Sequence, residues 1–233
     1  MNRRRTRGPR HRSSSVVTLG LAVSVLPIGY LHLASVGVID PVRHPISDYV
    51  AAPHGSALLA ISFAALIVSA AALVAGLRRL PGRGMAQALL MSWCAALALA
   101  AIFPTNVPGT PADAAALVHR YAAGWLFLSL PWAGWLLARR CALTPAWRPS
   151  AHSLRRLSWL AGAASAALLS CYLVSPGEAS PIWCVGLLQR GLLALDIALI
   201  AVAALAVRRA AAEPSPLITT TRQSADAYER TVR

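Results

Sequence analysis

Residues 56–79 read SALLAISFAALIVSAAALVAGLRR, an apolar run that ends in two arginines. A helix needs about 20 apolar residues to span the hydrocarbon core of a bilayer. Backbone N–H and C=O groups in lipid must pair within the segment, so a run of this kind forms a helix and not an open strand. The stretch therefore predicts a transmembrane helix that ends at a basic, water-facing connection.

Five further runs of similar length share this pattern, and together they predict an all-α polytopic membrane protein with a six-transmembrane-helix bundle. The first run is too long for a cleaved secretory signal and lacks a small-x-small site, so we expect it to remain as a helix. A basic tail at 1–14 and a polar tail at 210–233, expected to be disordered, flank the membrane domain at 15–209. The predicted spans are residues 15–36, 56–77, 84–103, 115–138, 157–175 and 183–207.

The composition supports a membrane protein and argues against nucleic acid as a partner. The chain is 57% hydrophobic and 13% charged, whereas a soluble domain carries about 25% charged residues. The net charge of +14 comes from 22 basic residues, all of them arginine, that stand in short blocks between apolar runs. The expected partners are membrane lipids; protein partners stay unknown, and no cofactor is predicted.

The arginines also predict the orientation of the chain in the membrane. Nineteen of them lie in the two tails and in the second–third and fourth–fifth connections, whereas the opposite connections contain Arg43 alone. Positively charged connections remain in the cytoplasm. We therefore expect a plasma-membrane protein with both termini cytoplasmic, whose basic blocks are attracted to anionic headgroups.

Polar side chains gather at the opposite, outer end. Residues 40–49 read DPVRHPISDY, and an arginine within the last span is costly unless it is paired, so it is expected to face the bundle interior. Asp48 and Asp113 are its expected acidic partners. The sequence thus predicts an outward-facing polar pocket for a lipid headgroup or another polar ligand. Its predicted ligand-binding residues are His44, Ser47, Asp48, Thr105, His119, Gln189 and Arg190.

Several polar residues at this end also have a structural interpretation. The segment from His44 to Asp48 can begin a short interfacial helix, with a proline in its first turn and an acid near its positive end. Arg190 can fix the register of its helix through a pair with an acid. Arg120 can extend its side chain upward to the headgroups.

An enzymatic alternative is a metal-dependent membrane hydrolase. His44, Asp48, His54 and His119 could supply three ligands and leave a position for an activated water, but the sequence has no H-E-x-x-H motif. A serine hydrolase with Ser47 and His44 would lack G-x-S-x-G. No metal is predicted, and whether the protein is an enzyme stays open.

Asp196 suggests a further alternative, a small proton- or ion-coupled transporter. At the helical rise it lies about 20 Å below the start of the last span, in the inner half of the membrane. Such an acid is protonated, bonded to another group or exposed to an internal water cavity. Gln189, seven residues earlier, shares its face, so the two side chains could line a proton or ion path or form a buried hydrogen bond.

The same motifs give the sequence a family resemblance. It resembles DUF 998, a bacterial and archaeal family of multi-pass membrane proteins of unknown function, over about residues 15–209. The resemblance implies a six-helix membrane protein and supplies no activity. Members often have an acid after Phe-Pro-Thr, where this chain has Asn106. The motifs that carry the resemblance are DPVRHPISDY (40–49), Phe103-Pro-Thr105, Val118-His119, Leu188-Gln-Arg190 and Leu195-Asp196.

Overall fold

The computed structural model describes residues 9–107, 110–174 and 184–212, and these are almost entirely helical. No strand occurs among them. Three short 3-10 helices, Ile46–Ala51, Leu77–Arg79 and Pro145–Trp147, stand in the connections. The six long helices are α1 (Pro9–Ala34), α2 (Gly55–Gly76), α3 (Gly84–Ile102), α4 (Ala114–Ala142), α5 (Arg148–Val174) and α6 (Val185–Ala212).

Five of the six long helices are long and apolar enough to cross a membrane. The exception is α5, which has 27 residues but carries Arg148, Arg155 and Arg156 in its first nine positions. Only the later part of this helix matches the apolar run predicted at 157–175. The prediction of an all-α, multi-pass membrane protein is confirmed, with a sixth long helix whose first third carries three arginines.

Four of the helices, α1, α4, α5 and α6, extend beyond the apolar runs that predicted them. Helix α5 begins nine residues before the predicted start, α1 begins at Pro9, and α6 continues to Ala212. Arginine has a high helix propensity, so a helix continues into the polar interface after its apolar part has ended. Parts of both predicted tails are therefore helical, and the proposed disorder at 213–233 lies outside the described residues.

The helices pack as a ring in chain order. Each helix packs against the next one in the chain, from α1 to α6, and α6 closes the ring by packing on α1. Helix α6 also contacts α2 and α4, so it lies nearest to the centre. Polar side chains of α6 can therefore reach groups on several neighbouring helices.

The buried side chains form two clusters. The larger fills the middle of the bundle around Trp93, Leu130 and Leu199. The smaller lies at one end, where Tyr49 of the first 3-10 helix packs with Leu31 of α1 and Leu59 of α2. This end carries the residues expected to face outward, and we call it the outer end.

Two glycines let the α1–α2 connection lie flat against α2 and α6. A Cβ atom on Gly55 would collide with the carbonyl oxygen of Tyr49. A Cβ atom on Gly186 would collide with the carbonyl oxygens of His44 and Pro41. Because only glycine allows so close an approach, these positions bring the DPVRHPISDY segment onto the first turn of α6.

Candidate functional site

Tyr49 is the centre of the polar network at the outer end. Its side chain is fully buried, and its hydroxyl accepts a hydrogen bond of 2.9 Å from Nη2 of Arg190. The same hydroxyl lies 3.0 Å from Nδ1 of His32, and the guanidinium carbon of Arg190 lies 5.5 Å from the ring centroid. Because arginine can only donate, the hydroxyl proton of Tyr49 is free to bond to the imidazole of His32.

Arg190 binds mainly to backbone oxygens of the protein. Its Nη1 donates to the carbonyls of Pro41 at 2.7 Å, His44 at 2.8 Å and Gly186 at 3.0 Å. Arginine has five N–H donors, so these bonds and the bond to Tyr49 leave Nε and one hydrogen of Nη2. These contacts support the interpretation of Arg190 as a structural residue. Its hydrogen-bond partners are backbone carbonyls and the Tyr49 hydroxyl, and not an acid.

Other contacts hold the same segment to α6. Oε1 of Gln189 accepts a bond of 2.5 Å from the amide of Ile46. The amide of Leu187, one of the N–H groups at the start of α6 that no helical carbonyl can pair, donates to the carbonyl of Val42 at 3.0 Å. The α1–α2 connection is thus fixed to α6 by side chains and by backbone, and its remaining side chains are held in place.

His44 and Asp48 form a half-exposed pair on this fixed segment. Nδ1 of His44 lies 3.0 Å from Oδ2 of Asp48, and the two side chains are 40% and 15% exposed. Burial raises the pKa of Asp48 above its ordinary value, while His44 and Arg190 act in the opposite direction. A carboxylate at Nδ1 leaves Nε2 as the imidazole atom that can meet a ligand. Ser47 lies between them in the chain and is half-buried.

Two residues of other helices belong to the same outer end. The phenol of Tyr172, on α5, is close enough to interact electrostatically with Asp48 and with Arg120. Nη2 of Arg120 donates a bond of 3.2 Å to Oδ1 of Asn106 in the α3–α4 connection. The outer end thus combines groups from α4, α5, α6 and the α1–α2 connection.

His119 and Asp113 do not join Arg190. Nδ1 of His119 lies 3.0 Å from the carbonyl oxygen of Ala100 and 2.9 Å from that of Phe103, so it satisfies carbonyls at the end of α3 that have no helical partner. Oδ1 of Asp113 accepts from the amide of Ala116 at 2.8 Å and caps α4. The expectation that Asp113 pairs with Arg190 is therefore wrong, because a helix start takes up this carboxylate.

The remaining predicted residues fall into separate places. Thr105 is half-buried in the α3–α4 connection, two residues after Phe103, whose carbonyl oxygen lies 2.9 Å from Nδ1 of His119. His54 is exposed at the start of α2, with φ of 58°. Within the described ranges no three His, Cys, Asp or Glu side chains come together as a metal site, so the four residues of the hydrolase alternative are not assembled there. Cys171 and Cys184 are free thiols.

Asp196 is in a different state from the outer residues. It is 1% exposed, and neither carboxylate oxygen has a hydrogen-bond partner among the described residues. The hydroxyl of Ser62 on α2 is likewise buried and unpartnered in this part of the chain. Gln189, on the same face of α6, is bonded to Ile46 and does not reach Asp196.

Sequence reasoning missed Tyr49, His32 and Tyr172 as members of the outer site. One signal for Tyr49 was available, because it ends the DPVRHPISDY segment, and a buried tyrosine needs a partner for its hydroxyl. Tyr172 is near Asp48 only through the packing of α5, which no local pattern encodes.

Comparison with known proteins gives one match. The model of a family described as "Protein of unknown function (DUF998)" matches residues 17–206. No curated protein matches the chain, and no solved structure does.

Proposed function

The chain belongs to the DUF998 family of unknown function, and we propose that this plasma-membrane protein binds an anionic lipid headgroup, or another polar ligand of that charge, at its outer end. The observation that carries the proposal is the half-exposed His44–Asp48 pair on a segment that α6 holds rigid. A binding group that is already ordered loses little entropy when a ligand arrives.

The pair supplies the chemistry that such a ligand needs. When both ring nitrogens of His44 carry a proton, Nδ1–H donates to Asp48 and Nε2–H can donate to a phosphate or carboxylate oxygen. The two remaining N–H groups of Arg190 and the hydroxyl of Ser47 are further donors. In this proposal Gln189 holds the segment, while His119 and Thr105 belong to the neighbouring wall formed by α3 and α4.

The proposal requires the outer end to face away from the cytoplasm, with residues 15–209 as the membrane domain and both termini inside. Arginine-dense connections support this orientation. One cysteine at a time would be introduced at Val38, which is 83% exposed, or at Leu143, which is 74% exposed. All four native cysteines would be replaced by alanine in this background. A membrane-impermeant maleimide should label the first in intact cells and the second only after lysis; the reverse pattern would refute the orientation.

The binding test uses detergent-purified protein and soluble headgroup analogues. Glycerol phosphate should raise the melting temperature of the wild type, and His44→Ala should weaken apparent binding by about tenfold or more, the loss expected for one bond to a charged group. The matched control is His152→Ala, an exposed histidine at the start of α5. Equal shifts in melting temperature for His44→Ala and wild type would refute the proposal.

A second candidate function rests on the unpartnered carboxylate of Asp196. We propose that it takes up and releases a proton or a small cation during transport across the membrane, because an intramembrane acid without a structural partner is costly to keep. In proteoliposomes with an imposed pH gradient, Asp196→Asn should abolish the flux of protons or small cations that the gradient drives. Asp113→Asn should retain this flux. Identical flux in wild type and Asp196→Asn would contradict this role.

A further inference from the structure

Two hydrogen bonds connect α1 to α6 through the hydroxyl of Tyr49. Nδ1 of His32, at the outer end of α1, lies 3.0 Å from this oxygen, and Nη2 of Arg190 donates to it at 2.9 Å. Tyr49 is fully buried, and among the described residues its hydroxyl bonds to these two side chains only. They must therefore satisfy both the proton and the oxygen of the hydroxyl.

This arrangement assigns the hydroxyl proton of Tyr49 to His32. A guanidinium has donors only, so Arg190 cannot accept that proton. Nδ1 of His32 accepts it only when the imidazole is neutral and carries its own proton on Nε2. Because a buried hydroxyl whose proton has no acceptor is costly, the folded state selects this neutral tautomer of His32.

Protonation of His32 reverses the direction of the bond. An imidazolium carries a proton on both nitrogens, so Nδ1 becomes a donor that faces a hydroxyl already bonded to Arg190. The proton of Tyr49 then loses its acceptor, and two positive side chains share one oxygen atom. Like charges repel each other more strongly in a partly buried site than in water. The contact is therefore compatible with the neutral imidazole and not with the charged one.

The charged groups around this end of α1 do not compensate a positive charge on His32. Both nearby carboxylates have other partners, because Asp40 lies 3.6 Å from Arg43 and Asp48 lies 3.0 Å from His44. His32 itself is in no ion pair within the described ranges. The titratable and charged groups on α1 and on the elements packed against it here are Tyr30, Asp40, Arg43, His44, Asp48, Tyr49, His54 and Arg190.

The contact of His32 with Tyr49 also holds an apolar cluster together. Leu31, the residue before His32, packs with three side chains of the connection and of α2, which are Ile46, Tyr49 and Leu59. The bonds from α6 to the backbone of the connection do not involve His32. Loss of the His32 bond therefore affects the end of α1 and the first 3-10 helix, while α6 continues to hold the rest of the connection.

We propose that His32 is an acid-sensitive contact, which opens between α1 and the first 3-10 helix when its imidazole takes up a proton. Histidine is the side chain whose charge ordinarily changes between about pH 5 and 8, so the contact is closed at the upper end of this range and open at the lower end. It opens without a bound ligand and is independent of the proposed function.

Hydrogen exchange of the detergent-purified full chain at pH 8 and pH 5 tests this contact. The amides of Asp48 and Ala52 pair within the first 3-10 helix, and their protection is expressed relative to the intrinsic exchange rate at each pH. Protection in the wild type should fall by about tenfold at pH 5, the loss expected for one buried hydrogen bond. The amide of Gln87, paired at the opposite end of the bundle, should keep its protection.

Variants identify the group that titrates. His32→Asn keeps an acceptor oxygen near the place of Nδ1 and cannot take up the proton, so its protection should be equal at the two pH values. Tyr49→Phe should show low protection at both. His54→Asn, the matched change at an exposed histidine, should keep the tenfold fall. The double variant His44→Asn, Asp48→Asn should also keep it.

Nitrogen NMR of protein labelled with ¹⁵N-histidine identifies the tautomer directly. The imidazole signals that disappear in His32→Asn belong to His32. At pH 8 these signals should show a proton on Nε2 and none on Nδ1, and at pH 5 they should show a proton on both nitrogens.

Four results would overturn the proposal. Equal protection of the wild type at the two pH values would show that the contact does not respond to acid. A fall that persists in His32→Asn would assign the response to another group, and a fall that disappears in the double variant would assign it to the His44–Asp48 pair. A proton on Nδ1 of His32 at pH 8 would show that Tyr49 does not donate to this histidine.

Discussion

The outer end and the middle of the membrane domain hold polar side chains in opposite states. At the outer end Arg190, Gln189 and His119 all bond to backbone groups of a neighbouring segment. In the middle, the carboxylate of Asp196 and the hydroxyl of Ser62 are buried with no partner among the residues described.

The difference follows from where the backbone is irregular. Helices satisfy their own N–H and C=O groups, so only helix ends and connections need polar side chains in a membrane protein. The outer residues serve that need and stabilise the fold. No backbone group in the middle of α6 requires an acid, and Asp196 has no partner among the described residues. Unlike Arg190, Gln189 and His119, it is therefore a candidate for proton or cation transfer. Four measurements test this distinction.

The largest effect is expected from Arg190→Ala. The variant leaves the carbonyls of Pro41 and His44 and the hydroxyl of Tyr49 without their donor, so the free energy of unfolding should fall by about 3 kcal/mol or more. Denaturation in detergent, followed by tryptophan fluorescence, would measure it. Arg43→Ala, which loses only an exposed contact with Asp40, should stay within about 0.5 kcal/mol of wild type. Similar losses of unfolding free energy in Arg190→Ala and Arg43→Ala would show that the contacts of Arg190 do not stabilise the fold.

Asp196→Leu should raise the free energy of unfolding, whereas Arg190→Ala lowers it. Replacing a buried, unpartnered carboxyl with an apolar side chain removes a desolvation cost, so the free energy of unfolding should rise by about 1 kcal/mol or more. The same unfolding assay applies. Asp113→Leu is the matched control, because it deletes a helix cap and should lower stability by about 1 kcal/mol. Destabilisation by Asp196→Leu would mean that this acid has a structural partner after all.

His119→Ala should lower the free energy of unfolding by about 1–2 kcal/mol, because the carbonyls of Ala100 and Phe103 lose their donor. Hydrogen exchange should also become faster at the end of α3. His152→Ala, an exposed histidine at the opposite end, should change neither. Unchanged exchange at α3 in His119→Ala would show that this histidine is not a cap.

The smallest effect is the pH dependence that Asp48 contributes. Burial raises its pKa above the ordinary value of 3.8, so the folded state holds this proton more tightly than the unfolded state. The contribution to stability is complete below pH 3.8 and is lost as pH rises through the folded pKa. Wild type minus Asp48→Asn should show this fall in stability; a difference that rises with pH would contradict it.

The apolar runs predicted the six long helices well, yet their ends were misplaced at α1, α4, α5 and α6. Hydropathy reports where the lipid ends, and a helix continues past that point while its backbone bonds persist. The DPVRHPISDY segment and Gln189-Arg190, which the sequence singled out, do lie together, while their binding of a ligand stays a prediction. Asp113 was misassigned, because capping by an acid depends on where a helix starts.

The sequence by itself determined that the chain is an all-α membrane protein, because apolar length and charge distribution act through the solvent and need no tertiary contact. Only the tertiary structure decided which polar groups meet. It brought Tyr49 to Arg190 and left Asp196 without a partner among the described residues, since a hydrogen bond between residues 141 positions apart depends on how helices pack. Local sequence patterns carry no record of that packing.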